Sequence, residues 1–106
     1  MNYRYMRTLL FFDLPTLTSK QRKAYRDFVK LLIRNGFYRI QESVFVKMSI
    51  NPQAAQATVK YIDSKKPSEG NIITLTVTEK QFLSMQILLG DIKTDVEVSD
   101  KRVLVL

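Results

Sequence analysis

The hydrophobic pattern of this chain changes period several times, and each change marks an element. Arg4 to Asp13 reads as a strand whose two alternating sets are both apolar, Leu10 and Phe12 on one face, Leu9 and Phe11 on the other. Such a strand is expected to be central and covered on both sides. Pro15 ends it, and Thr18 followed by Gln21 forms a capping-box pattern that starts a helix. That helix carries Ala24, Phe28, Leu31 and Leu32 on an inward stripe, and Asn35-Gly36 supplies a left-handed stop. Phe37 to Ile50 is rich in β-formers, but fourteen residues at about 3.3 Å each exceed a typical strand, so a break is expected near Gln41-Glu42-Ser43. No turn signature is visible at that point.

Asn51-Pro52 is an N-cap with proline at the first helical position. The helix it opens packs through Ala55, Val59 and Ile62 and ends in the Lys65 to Gly70 segment. Asn71 to Val77 is a further strand, and Thr78 with Gln81 repeats the capping box over a short helix presenting Phe82 and Met85. After a polar connection from Gly90 to Lys101, Val103-Leu104-Val105-Leu106 is a last, wholly apolar strand that needs a sheet edge to join, a second subunit's included. The order predicts an α+β fold, the ferredoxin-like βαββαβ arrangement with an extra short helix and C-terminal strand, in one domain spanning residues 1–106. A core of this size gains from association, so a homodimer is expected.

Charge changes the picture. Residues 1–47 hold ten Lys and Arg against three acids, while the remaining residues hold seven of each, so the whole net charge of +7 lies in the first part of the chain. A polyanion would be drawn to one region. On the first helix Arg22, Arg26, Lys30 and Arg34 recur every four residues, with Lys23 alongside and Lys20 at the start, and Asp27 is the only acid. Exposed helix faces are often charged merely for solvation. Here the stripe lacks the usual i, i+4 acidic compensation, which favours contact with a phosphate backbone. Tyr3 and Tyr5, interleaved with Arg4 and Arg7, have the chemistry to stack on bases, but a structural role at a strand edge is preferred.

With no His and no Cys, histidine triads, thiol nucleophiles and His/Cys zinc sites are excluded. Hydrolysis would depend on carboxylates and a hard metal ion. Asp13, where the first strand meets a loop, is the candidate ligand, although Asp before Leu-Pro is also an ordinary turn initiator. Magnesium sites use one or two carboxylates with waters and substrate phosphates, so one protomer offers half a site and a two-fold axis would bring two copies of Asp13 together. An RNA-recognition motif shares the element order, but Arg39 stands where its second sheet aromatic is needed. No apolar run is long enough to span a bilayer, and without a signal-like apolar N-terminus or cysteines a cytosolic location and no membrane contact are expected.

With Phe12-Asp13 closing the first strand, Arg22-Lys23-Ala24-Tyr25-Arg26 in the helix, then Gly36-Phe37 and Gln41-Glu42-Ser43-Val44-Phe45, the chain resembles CRISPR-associated protein two, the small subunit of the spacer-acquisition complex. Leu75 to Phe82 is similar to members from type II-A systems. The resemblance implies a ferredoxin-like homodimer in which two copies of Asp13 face each other and hold a divalent metal, Mg2+ or Mn2+, and a metal-dependent endonuclease activity on RNA or DNA. It equally implies a non-catalytic role in CRISPR antiviral defence, bridging two dimers of the integrase and lying along the double-stranded DNA to be inserted. The bridging role suits these residues better, with Lys20, Arg22, Lys23, Arg26 and Lys30 as the expected DNA contacts. A toxin-type metal-dependent ribonuclease of the same fold is the alternative.

Overall fold

A computed structural model describes residues 4–92. The elements are β1 (Met6–Asp13), α1 (Ser19–Arg34), β2 (Tyr38–Gln41), β3 (Val44–Ser49), α2 (Pro52–Lys65), β4 (Asn71–Thr78) and α3 (Glu79–Leu83). The sheet order is β2-β3-β1-β4, with every neighbouring pair antiparallel. The crossover from β1 through α1 to β2 leaves a gap that β3 fills, which is the ferredoxin-like split βαβ arrangement. The expected Val103 to Leu106 strand, and all but the start of the connection before it, lie outside the described residues.

Local chemistry sets the element ends. The Thr18 hydroxyl accepts from the Gln21 amide at 3.0 Å while Gln21 Oε1 accepts from the Thr18 amide at 3.0 Å, so the expected capping box closes around two orphan donors. At the far end Gly36 takes φ 91° and Lys47 Nζ donates to the Asn35 carbonyl at 2.7 Å, satisfying a helix-end acceptor. Asn51 caps α2 by accepting from the Ala54 amide at 2.7 Å. The long β-rich run breaks at Glu42-Ser43 as expected. Between Arg39 and Gln41 the ladder is bulged, which inserts Ile40 as an extra residue and disrupts the alternation that would have exposed the break.

The main core lies between the sheet and the two long helices. Leu10, Leu32 and Phe45 are wholly buried, and the Phe12 ring meets Tyr25 and Phe28 edge-on at 5.6 and 5.7 Å and stacks on Phe45 at 5.9 Å. The opposite face corrects an expectation: β1 is central but not covered on both sides. α3 is five residues, about 7.5 Å long, against about 26 Å for the eight residues of β1, so it shields one end only. Phe82 is buried there with Ile40 and Val46, whereas Ile73 and Leu75 on β4 remain 64% and 54% exposed. α3 stops before Met85, which is exposed and lines a groove of about 880 Å³ over Leu9, Phe11 and Val44.

Candidate nucleic-acid interface and metal site

The residues expected to meet phosphate, Lys20, Arg22, Lys23, Arg26 and Lys30, are all exposed on α1, as is Arg34. Phe28 and Leu32 hold the opposite side of the helix in the core, so packing itself turns the cations outward. Two of them are not idle. Lys23 Nζ bonds the Asp27 carboxylate at 2.8 Å, an i, i+4 pair that corrects the expectation of an uncompensated stripe. That hydrogen bond holds the Asp27 carboxyl below its usual range, with Lys30 and Arg26 adding to the effect. Arg22 Nη1 donates to the Thr16 and Leu17 carbonyls at 3.2 and 2.9 Å, so it straps the loop that follows β1 to the helix. Among the described residues Lys20, Arg26, Lys30 and Arg34 have no carboxylate partner.

Arg7 is removed from any binding surface. It is buried on the partly open sheet face, where Nε and Nη2 reach the Glu79 carboxylate at 2.6 and 3.0 Å, Nη1 donates to the Tyr38 hydroxyl at 2.9 Å, and the guanidinium lies 4.5 Å above the Phe82 ring. This cluster fastens α3 to the sheet. Sequence reasoning missed it because Arg7 and Glu79 are 72 positions apart and only the β1–β4 register brings them together. Tyr5 is about half exposed, and Tyr3 lies outside the described residues.

Asp13 is the last residue of β1 and is exposed. Its Cα partner is Asn71, and the residue before it is fixed by the Phe12 amide donating to the Ser43 carbonyl at 3.1 Å. Among the described residues no hydrogen bond or ion pair engages its carboxylate. Gly70 holds the neighbouring strand close. At φ +101° its missing Cβ would stand 2.8 Å from the Asp13 carbonyl and 2.6 Å from Leu14 Cδ2. The sequence marked Gly70 only as part of a helix-ending segment.

Among the described residues no three carboxylates, histidines or cysteines converge. An unengaged, solvent-facing carboxylate nevertheless suits a hard cation such as Mg2+ or Mn2+, which keeps several waters and needs few protein ligands. Asp13 would hold such an ion, and the ion would supply a polarised phosphate and an acidified water.

Residues 6–85 match the family described as CRISPR associated protein Cas2. A Treponema denticola protein is 44% identical over 101 residues, covering 95% of this chain and 100% of its own. Proteins of Ligilactobacillus salivarius and Streptococcus mutans are each 45% identical over 101 residues, with 100% and 93% of their own lengths covered. All three bear the name CRISPR-associated endoribonuclease Cas2. A match over both long helices and all four strands, at this identity, places the chain in the Cas2 family of CRISPR-associated proteins.

Proposed function

We propose that this protein serves CRISPR spacer acquisition as a homodimer that bridges integrase dimers and cradles duplex DNA, with metal-dependent hydrolysis at most a secondary activity. The observation that carries the reading is the one-sided exposure of the α1 cations, of which Lys20, Arg26, Lys30 and Arg34 have no carboxylate partner among the described residues. A dimer formed through the partly open sheet face would leave this helix, on the opposite side, free for phosphate. Contacts of this kind track a backbone without reading sequence. The type II-A affiliation rests on the Leu75 to Phe82 segment alone.

Lys20, Arg26 and Lys30 are the leading contacts. Arg22 also stiffens the loop after β1, and Lys23 must leave Asp27 before it binds elsewhere. Arg26→Glu with Lys30→Glu should weaken duplex binding, flatten its salt dependence by a slope of about 0.9 per lost phosphate contact, and impair spacer integration by an unaltered integrase. Asp13→Ala should leave integration intact. The opposite pattern, integration surviving the charge reversal and lost with Asp13→Ala, would support the second reading. In that reading the protein cleaves RNA, as the names of its relatives suggest, and would do so at a metal held by Asp13. The toxin-type ribonuclease alternative makes the same demand on Asp13.

A further inference from the structure

The last rung of the β1–β4 ladder pairs Asp13 with Asn71. Residues directly opposite in an antiparallel pair project to the same face with Cβ atoms about 4.5–5.5 Å apart. Both side chains therefore stand together on the side of the sheet opposite α1 and α2, in line with Phe11 and Ile73 two rungs earlier. Both residues are exposed. An asparagine just after a glycine turn commonly folds its side chain back onto the local backbone. Asn71 does not: among the described residues its side chain has no hydrogen-bond partner, and neither has that of Asp13.

Gly70 makes this rung possible. Its positive φ and the short distances from its absent Cβ to the Asp13 carbonyl and to Leu14 mean that any side chain there would push the start of β4 away from the end of β1. On the other flank of Asp13 no strand residue is in register, because the β1–β3 ladder ends one pair earlier than Phe12, at Phe11 and Val44. Asn71 is thus the one strand residue paired across from Asp13 among the described residues.

We infer that Asn71 is the second oxygen donor of the Asp13 cation site. Hard divalent cations accept amide carbonyl oxygens as readily placed neutral ligands beside a carboxylate. Two oxygens held by one ion at about 2.1 Å lie about 3 Å apart, within reach of side chains rooted on one rung. One carboxylate and one amide from a protomer leave positions at the ion open for further oxygen ligands, a phosphate oxygen or the second copy of Asp13 that a two-fold axis would bring. The inference rests on the reading of Asp13 as a metal ligand and adds a donor to it.

The test uses the full chain and Mn2+ alone, with binding followed by calorimetry and by the electron paramagnetic resonance signal of free Mn2+. Melting curves in chelator check that each variant is folded. Wild type should bind, Asp13→Ala should lose binding, and Asn71→Ala should weaken it by at least the roughly tenfold that even outer-shell partners contribute. Asn71→Asp, which swaps the neutral donor for an anionic one, should bind more tightly than wild type. If Asp13→Ala loses Mn2+ while Asn71→Ala binds as wild type does, the Asn71 role is overturned and Asp13 stands. Equal weakening by Asn71→Ala and Asn71→Asp would also overturn it, since a donor would then not be what matters. If Asp13→Ala binds as wild type does, or wild type does not bind at all, the cation site itself fails.

Discussion

Arg7 and Gly70 show how single residues hold the working surfaces in place. Burial alone disfavours the Arg7 charge, but the hydrogen bond to Glu79 outweighs it with help from Tyr38, so the guanidinium holds its proton more tightly than usual. The pair is asymmetric, since the Arg7 side chain is 7% exposed and that of Glu79 27%. Removing Glu79 strands a buried cation, whereas replacing Arg7 by Met leaves an anion that water reaches. Glu79→Ala should therefore cost about 3 kcal/mol and Arg7→Met distinctly less, read from urea unfolding. Equal losses would mean that packing on Phe82, not charge, carries the cluster. Gly70→Ala combines a disfavoured φ with contacts under 3 Å, so it should destabilise by roughly 1–3 kcal/mol. An unchanged midpoint would show that the end of the ladder relaxes freely.

At the scale of elements, α1 was the most legible part of the chain because its signals are local. The Thr18 and Gln21 cap, the Phe28 and Leu32 stripe and the Gly36 stop all act within one or two turns. Thr18→Ala should cost about 1 kcal/mol in chemical denaturation, and a neutral result would mean that Arg22 and Gln21 already hold the loop without it. What the sequence did not reveal depends on register or on competing partners. The bulge at Ile40 hid the turn between β2 and β3, the shortness of α3 left one face of β1 only partly covered, and the Lys23 bond to Asp27 reduced the free charge of the stripe. That bond has a pH sign. Because the Asp27 carboxyl is held below its usual value, the pair contributes above the ordinary carboxylate range and is lost as pH falls through the lowered value. Asp27→Asn at neutral pH mimics the loss and frees Lys23. Duplex affinity should then rise and its salt dependence steepen, measured by fluorescence anisotropy, and unchanged binding would place Lys23 outside the DNA contact.

The whole molecule has two unlike sides, and that division is the argument for its assembly. One side is a basic helix layer, which like charge keeps from self-association. The other is a sheet face where Met48, Ile73 and Leu75 are about half exposed or more, beside the groove at Phe11 and Met85. Large apolar side chains exposed together on one face of a small chain favour a contact with another molecule. β4 adds to the case, since among the described residues its Asn71–Thr78 span is a sheet edge with no charge, proline or bulge to repel another strand. Val103 to Leu106, from either copy, has the composition to cover such an edge. In a two-fold dimer each substitution acts twice, and burying a Leu or Ile contributes about 1.5–3 kcal/mol. Ile73→Glu with Leu75→Glu should therefore give a folded monomer in sedimentation equilibrium, because both side chains lie outside the main core. Removal of residues 103–106 should weaken the dimer less severely. The monomer should keep the α1 stripe and so retain weak duplex binding, yet fail to support integration if, as proposed, the protein acts there as a two-copy bridge. A double variant that stays dimeric would show that the copies meet through another surface. One that is monomeric and still supports integration would remove the bridge.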